Sequence, residues 1–189
     1  MVNVARCDSP ISLDDLSGRI RKSSNFRFSW QFYQCGRVDL QWPANIQQAL
    51  EAIIATAELH EFLRESFEPV YAQEFEVVQL HEHCRVDTAA GDFENILARA
   101  AGDHLGAYSQ QLRDASISEK QEIKGLFGCL GEYRTFELLP GSNSECRVCQ
   151  NSNNHLFSSW FYGVAWDWCL IAAWPRSDLL WVGCLTDTD

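Results

Sequence analysis

Basic residues, methionine and proline are scarce in this sequence of 189 residues: 15 Lys and Arg stand against 26 Asp and Glu, with one Met and five Pro. The shortage of bases leaves a formal net charge of −11. A field of that sign repels phosphate backbones and anionic membrane surfaces, so neither nucleic acid nor membrane is an expected partner. No apolar run approaches the roughly eighteen residues that a membrane span requires. The first fifteen residues carry Asp8, Asp14 and Asp15 and lack the apolar stretch of an export leader, which predicts a cytoplasmic protein. In a reducing compartment the eight cysteines are expected to be mostly core thiols, as at Cys129, Cys169 and Cys184 with their apolar neighbours.

Catalytic signatures are missing as well. There is no G-x-G-x-x-G, Walker sequence, H-E-x-x-H or G-x-S-x-G. Cys146 and Cys149 form a C-x-x-C, but a second pair is absent. A zinc-stabilised adaptor would need His81, His83 or Cys84 to complete four ligands. Cys35, Cys84 and Cys149 could serve a cysteine enzyme only with a histidine base and an orienting group beside them in space. Acid pairs such as Asp14–Asp15 identify no hydrolase, because two carboxylates must flank a substrate at a defined separation. No cofactor or metal is expected.

What is present is hydrophobic patterning in an ordinary amount, 46% of residues, with seven Trp and eleven Phe. It suggests one domain over residues 1–189, with residues 1–24 as a loosely attached arm or short helix. Phe26, Phe28, Trp30 and Phe32 alternate with polar residues, as do Val38, Leu40 and Trp42 after Gly36, which predicts an N-terminal β-hairpin. Asn45 and Gln48 resemble a capping box before the helical stripe Ile46, Ala49, Leu50, Ile53, Ile54 and Ala57. That helix is expected to stop near Ser66, ahead of Pro69. Residues 71–86 fit helix and strand templates equally. A second helix is expected over 92–112, and a shorter one from Ser118, with Gln121 as its capping-box partner, to Gly128 or Gly131. Glu132 to Leu138 reads as a strand, and residues 140–154 as a polar loop.

The C-terminal part holds the sharpest pattern. Val164–Trp174 and Leu179–Leu185 flank Pro175-Arg176-Ser177-Asp178, a turn sequence. A hairpin closed there pairs Trp174 with Leu179, Ala172 with Trp181, Leu170 with Gly183 and Cys169 with Cys184. Trp168, Leu170, Ala172, Trp174, Leu179, Trp181 and Leu185 then share one face, while Cys169, Ile171, Ala173, Leu180, Val182 and Cys184 share the other. Both faces are apolar, so the hairpin belongs at the centre of an antiparallel sheet covered on both sides. The expected class is α+β: an antiparallel sheet containing the N-terminal and C-terminal hairpins, packed with two or three helices.

Five tryptophans cluster between positions 160 and 181. Trp166, beside Asp167 near a strand end, is the one expected to be exposed, since Trp often anchors interfaces. Asp167, Asp178, Asp187 and Asp189 are the candidate partner-binding carboxylates at the ends of the hairpin. In size, charge and the Trp-rich run from Trp160 to Leu185 before Thr186-Asp187-Thr188-Asp189, the chain resembles the small acidic immunity proteins that bacteria encode beside secreted toxins. That resemblance implies a binding protein that neutralises a cognate toxin by occluding its active site or an essential surface. A basic toxin would be drawn to such a charge by electrostatic steering.

Overall fold

The computed structural model describes residues 3–23, 27–36, 46–54, 56–71, 84–88, 93–102, 115–140 and 168–186. Its elements in chain order are β1 (Val4–Cys7), α1 (Asp14–Ser23), β2 (Arg27–Cys35), α2 (Ile46–Ile54), α3 (Ala57–Tyr71), β3 (Cys84–Thr88), α4 (Phe93–Ala101), α5 (Ile117–Gly128), β4 (Arg134–Pro140), β5 (Trp168–Trp174) and β6 (Leu179–Thr186). The six strands form one sheet in the order β1-β2-β6-β5-β4-β3, and every neighbouring pair is antiparallel. The fold is α+β, with five helices among the described residues rather than two or three.

The β5–β6 hairpin occupies the centre of the sheet in the expected register, from Trp168 opposite Leu185 to Trp174 opposite Leu179. Its strands bury both faces because alternate residues enter two separate cores. Leu170, Ala172, Trp174, Leu179, Trp181 and Leu185 join an aromatic core closed by Leu13, Leu16 and Ile20 of the α1 region, Phe93, Ile96 and Leu97 of α4, and Ile123 and Phe127 of α5. Cys169, Ile171, Ala173, Leu180, Val182 and Cys184 join a mostly aliphatic core closed by Ile46, Leu50, Ile53 and Ile54 of α2 and Leu59, Phe62 and Leu63 of α3. The result is a helix–sheet–helix sandwich.

Several expectations need correction. Of the arm or short helix expected over residues 1–24, the short helix is present as α1, while a loose arm is not what residues 3–23 form: β1 adds an edge strand to β2, and Leu13, Leu16 and Ile20 are fully buried. The N-terminal hairpin expected around Gly36 is described only in its first strand, β2. Phe32–Cys35 of β2 pair with β1 on one side, and Arg27–Gln34 pair with β6 on the other. Residues 38–42 lie outside the described ones. The alternation did locate the strand, since Phe28 and Phe32 face the aromatic core while Tyr33 and Cys35 face the other.

The long helix expected from Asn45 is two helices. Thr56 supplies both its N–H (3.0 Å) and its hydroxyl (2.7 Å) to the Ile53 carbonyl, closing α2 before α3 begins at Ala57. Ala57 is consequently exposed rather than part of the buried stripe. Helix α3 continues past Ser66 through Pro69 to Tyr71. Proline there removes one backbone hydrogen bond in the last turn, a loss that a terminal turn tolerates better than a helix interior. A further correction concerns α5, whose N-cap is Ser116, not Ser118. Ser116 Oγ accepts from Glu119 N (3.3 Å), and Glu119 Oε2 accepts from Ser116 N (2.6 Å), a complete capping box. Helix α4 ends at Ala101 with a turn at Gly102, and residues 103–112 of the expected 92–112 helix lie outside the described residues. Residues 84–88, which overlap the end of the 71–86 stretch left open between helix and strand, form β3.

Candidate functional site

The tip of the central hairpin is where a sequence-predicted residue can be placed in detail. Ser177 N donates to Trp174 O (3.2 Å), so Pro175 and Arg176 occupy the middle of a β-turn whose first central position suits the fixed φ of proline. Asp178 follows in the left-handed region at φ 52°, which its short polar side chain tolerates better than a branched one. Its carbonyl accepts from Cys35 N (2.8 Å) and Gln34 Nε2 (3.0 Å), and Gln34 Nε2 also donates to Ser177 O (3.1 Å). The turn is thereby fastened to the end of β2. Asp178 is half-buried and acts first as a turn residue.

Beside this turn lies a shallow cleft of about 230 Å³ lined by Glu132, Arg134, Pro175 and Arg176. Arg176 and Glu132 approach to 3.5 Å with side chains 87% and 72% exposed, a geometry that contributes little stability. Under the cleft, Tyr133 donates to Glu94 Oε1 (2.8 Å) and packs on Trp174. Burial, then that carboxylate, pushes the Tyr133 phenol well above its ordinary range. The cleft offers charges of both signs, suited to polar contacts rather than to enclosing a substrate.

Trp166, Asp167, Asp187 and Asp189 lie outside the described residues. In sequence Asp167 and Asp187 adjoin Trp168 and Thr186, the open end of the hairpin, whereas Asp178 is at its turn. The seven residues of β5 separate those ends by about 20 Å. The structure therefore keeps Asp178 apart from the end of the hairpin formed by Trp168 and Thr186.

Sequence reasoning overlooked a second acidic feature. Glu58, Glu61 and Glu65 fall on one side of α3 at helical spacing and are all exposed. Arg6 from β1 reaches Glu65 at 3.0 Å and Glu61 at 3.7 Å, joining the helix to the edge of the sheet. The spacing itself was the available signal, but it was read only for its apolar stripe.

The candidate nucleophiles and ligands divide similarly. Cys35 is 2% exposed, and burial, reinforced by the nearby charges of Asp178 and Cys7, pushes its thiol up to about 12, far from a poised thiolate. Cys84 heads β3, while Cys146, Cys149, His81 and His83 lie outside the described residues. Cys169 and Cys184 are core thiols as expected, but Cys129, just past α5, is exposed. Among the described residues no group of three or more His, Cys, Asp or Glu could hold a metal ion, and no helix is long and apolar enough to cross a membrane. No protein-family model, curated protein or solved structure matches the chain.

Proposed function

We propose that the chain is a non-catalytic binding protein, an immunity protein that neutralises a cognate cationic bacterial toxin by direct contact. The observation that carries this reading is the charge of −11, part of it displayed as the exposed Glu58, Glu61 and Glu65 row on a helix tied to the edge of the sheet through Arg6. A fixed acidic surface speeds encounter with a basic partner and orients it before short-range contacts form. Trp166, Asp167, Asp187 and Asp189, which flank β5 and β6 in sequence, and Asp178 at the turn of the hairpin are the proposed additional contacts.

Co-expression with the product of the adjacent gene tests the function. The expected result is a product lethal alone and harmless in the presence of the chain; a harmless product, or one still lethal beside it, rejects the reading. A variant with Glu58, Glu61 and Glu65 replaced by Gln should bind that product with a slower association rate at low salt. The difference should shrink at about 1 M salt, where the screening length is about 3 Å. An association rate independent of salt and of these substitutions would remove the electrostatic part alone.

A further inference from the structure

Two cysteines face each other at the centre of the sheet. Cys169 of β5 and Cys184 of β6 are direct cross-strand partners, and the Cys184 thiol donates to Cys169 Sγ at 3.8 Å. Each is 1% exposed, on the face covered by α2 and α3. Directly opposed antiparallel residues hold their Cα atoms roughly 4.5–5.5 Å apart, inside the roughly 4.4–6.8 Å range that disulfides span. Rotation of the two side chains, without movement of the strands, is enough to bring the sulfurs to bonding distance. Cys35 shares this face but sits six positions along β2 from Ser29, the residue opposite Cys184, about 20 Å away.

We propose that Cys169 and Cys184 are a modification site: they form a cross-strand disulfide when the chain folds in the presence of a low-molecular-weight disulfide such as oxidised glutathione. Timing resolves the difficulty that both sulfurs are buried in the finished fold. The hairpin closes through a four-residue loop, and such local pairing takes on the order of 1–10 μs. The helices that cover its sulfur-bearing face come from residues 46–71, far away in sequence. Until they dock, both thiols stand side by side in water.

One thiolate attacks a sulfur of the small disulfide, expelling a small thiolate and leaving a mixed disulfide on the protein. The second cysteine, as thiolate, attacks the protein sulfur of that mixed disulfide. The Cys169–Cys184 bond forms, and the second small thiolate leaves. The two protein thiols are oxidised, and their two electrons and two protons end on two molecules of small thiol. Docking of α2 and α3 then seals the bond away from attacking thiolates.

The test is to refold the full chain from denaturant in a mixture of oxidised and reduced glutathione, block remaining thiols, and digest with trypsin without reduction. Cleavage after Arg176 places Cys169 and Cys184 on different peptides, so their bond is read as a linked pair lighter by two hydrogens. The peptide carrying Cys169 also carries Cys149, which makes two variants decisive. The link should persist in Cys149→Ala and vanish in Cys169→Ala, with native circular dichroism verified for both. Both cysteines recovered in blocked form, or a link that survives Cys169→Ala, overturns the proposal. In the folded protein the link should resist dithiothreitol until denaturant is added; rapid reduction under native conditions overturns the shielding.

Discussion

The two faces of the central hairpin are buried to the same degree but by different means. On one, Trp174, Trp181, Phe28, Phe32, Phe93 and Phe127 interlock under helices drawn from three separate stretches of chain. Phe127 stacks on Trp174 within 8° of parallel and meets Trp181 edge-on with ring centroids 5.0 Å apart, while Phe93 packs edge-on against both Phe127 and Trp181. On the other face, branched aliphatics and three cysteines lie beneath α2 and α3, which follow one another in sequence. Rings of fixed shape demand that several distant elements arrive in register, whereas small side chains accept a local pair of helices. The aromatic face should therefore be less forgiving of change.

The sharpest way to break this contrast is Trp181→Ala. It should cost about 3–5 kcal/mol by opening a cavity among Phe28, Phe93 and Phe127, as read from denaturant unfolding. Trp174→Ala should behave alike, but Trp168, only partly buried, should lose distinctly less. Wild-type stability in Trp181→Ala would show that the rings do not form the core described.

Alkaline pH probes the opposite face. Cys35 and Tyr33 are pushed up chiefly by burial, Cys35 to about 12, and Cys169 is pushed up by its hydrogen bond with Cys184 and by burial. In the unfolded chain a thiol releases its proton near pH 9, while the folded state retains it. Stability from this source is thus complete below about pH 9 and declines as pH rises toward 12, by about 1.4 kcal/mol per pH unit for each fully displaced group. Cys35→Val should flatten the slope; an unchanged slope would exclude Cys35 as its origin.

Gly183 sharpens the comparison at a single backbone position. The Trp181 ring lies across it so closely that an added Cβ would overlap the indole carbons. Gly183→Ala should cost about 1–3 kcal/mol through overpacking, and much less in a Trp181→Leu background. Equal costs in both backgrounds would dismiss the clash. On the aliphatic face, Ile171→Val should cost only about 0.5–1.5 kcal/mol. The smallest effect is expected at the N-cap of α5: Ser116→Ala should lose about 1 kcal/mol, and Ser118→Ala less than about 0.5 kcal/mol. The reverse order in thermal unfolding would return the cap to Ser118.

The hairpin was legible residue by residue because a turn sequence fixed its register and alternation on both sides sorted its side chains. The partners of β2 were not legible, since periodicity marks a strand but not its neighbour. Nearness in sequence pointed only to residues 38–42, whereas Arg27–Gln34 pair with Leu179–Thr186, far away in sequence. The break at Thr56 was hidden for a similar reason: one hydroxyl competing for the Ile53 carbonyl leaves the apolar spacing before it intact. At the candidate site, Asp178 could be placed at the turn, but its left-handed backbone and its ties to Gln34 and Cys35 depend on a strand far away in sequence.

The strand order β1-β2-β6-β5-β4-β3 also bears on how the chain is made. The pair that joins the two halves of the sheet follows the other four strands described. A ribosome therefore emits β1 with β2, and β3 with β4, as two separate antiparallel pairs, each with one inner edge unsatisfied. During that interval, at about 5–20 residues per second, both pairs expose strand edges and apolar surface that the finished protein conceals. The keystone is thus inserted after both halves have been made, and a cell that makes this chain must keep the two open halves apart from other strands until β5 and β6 arrive.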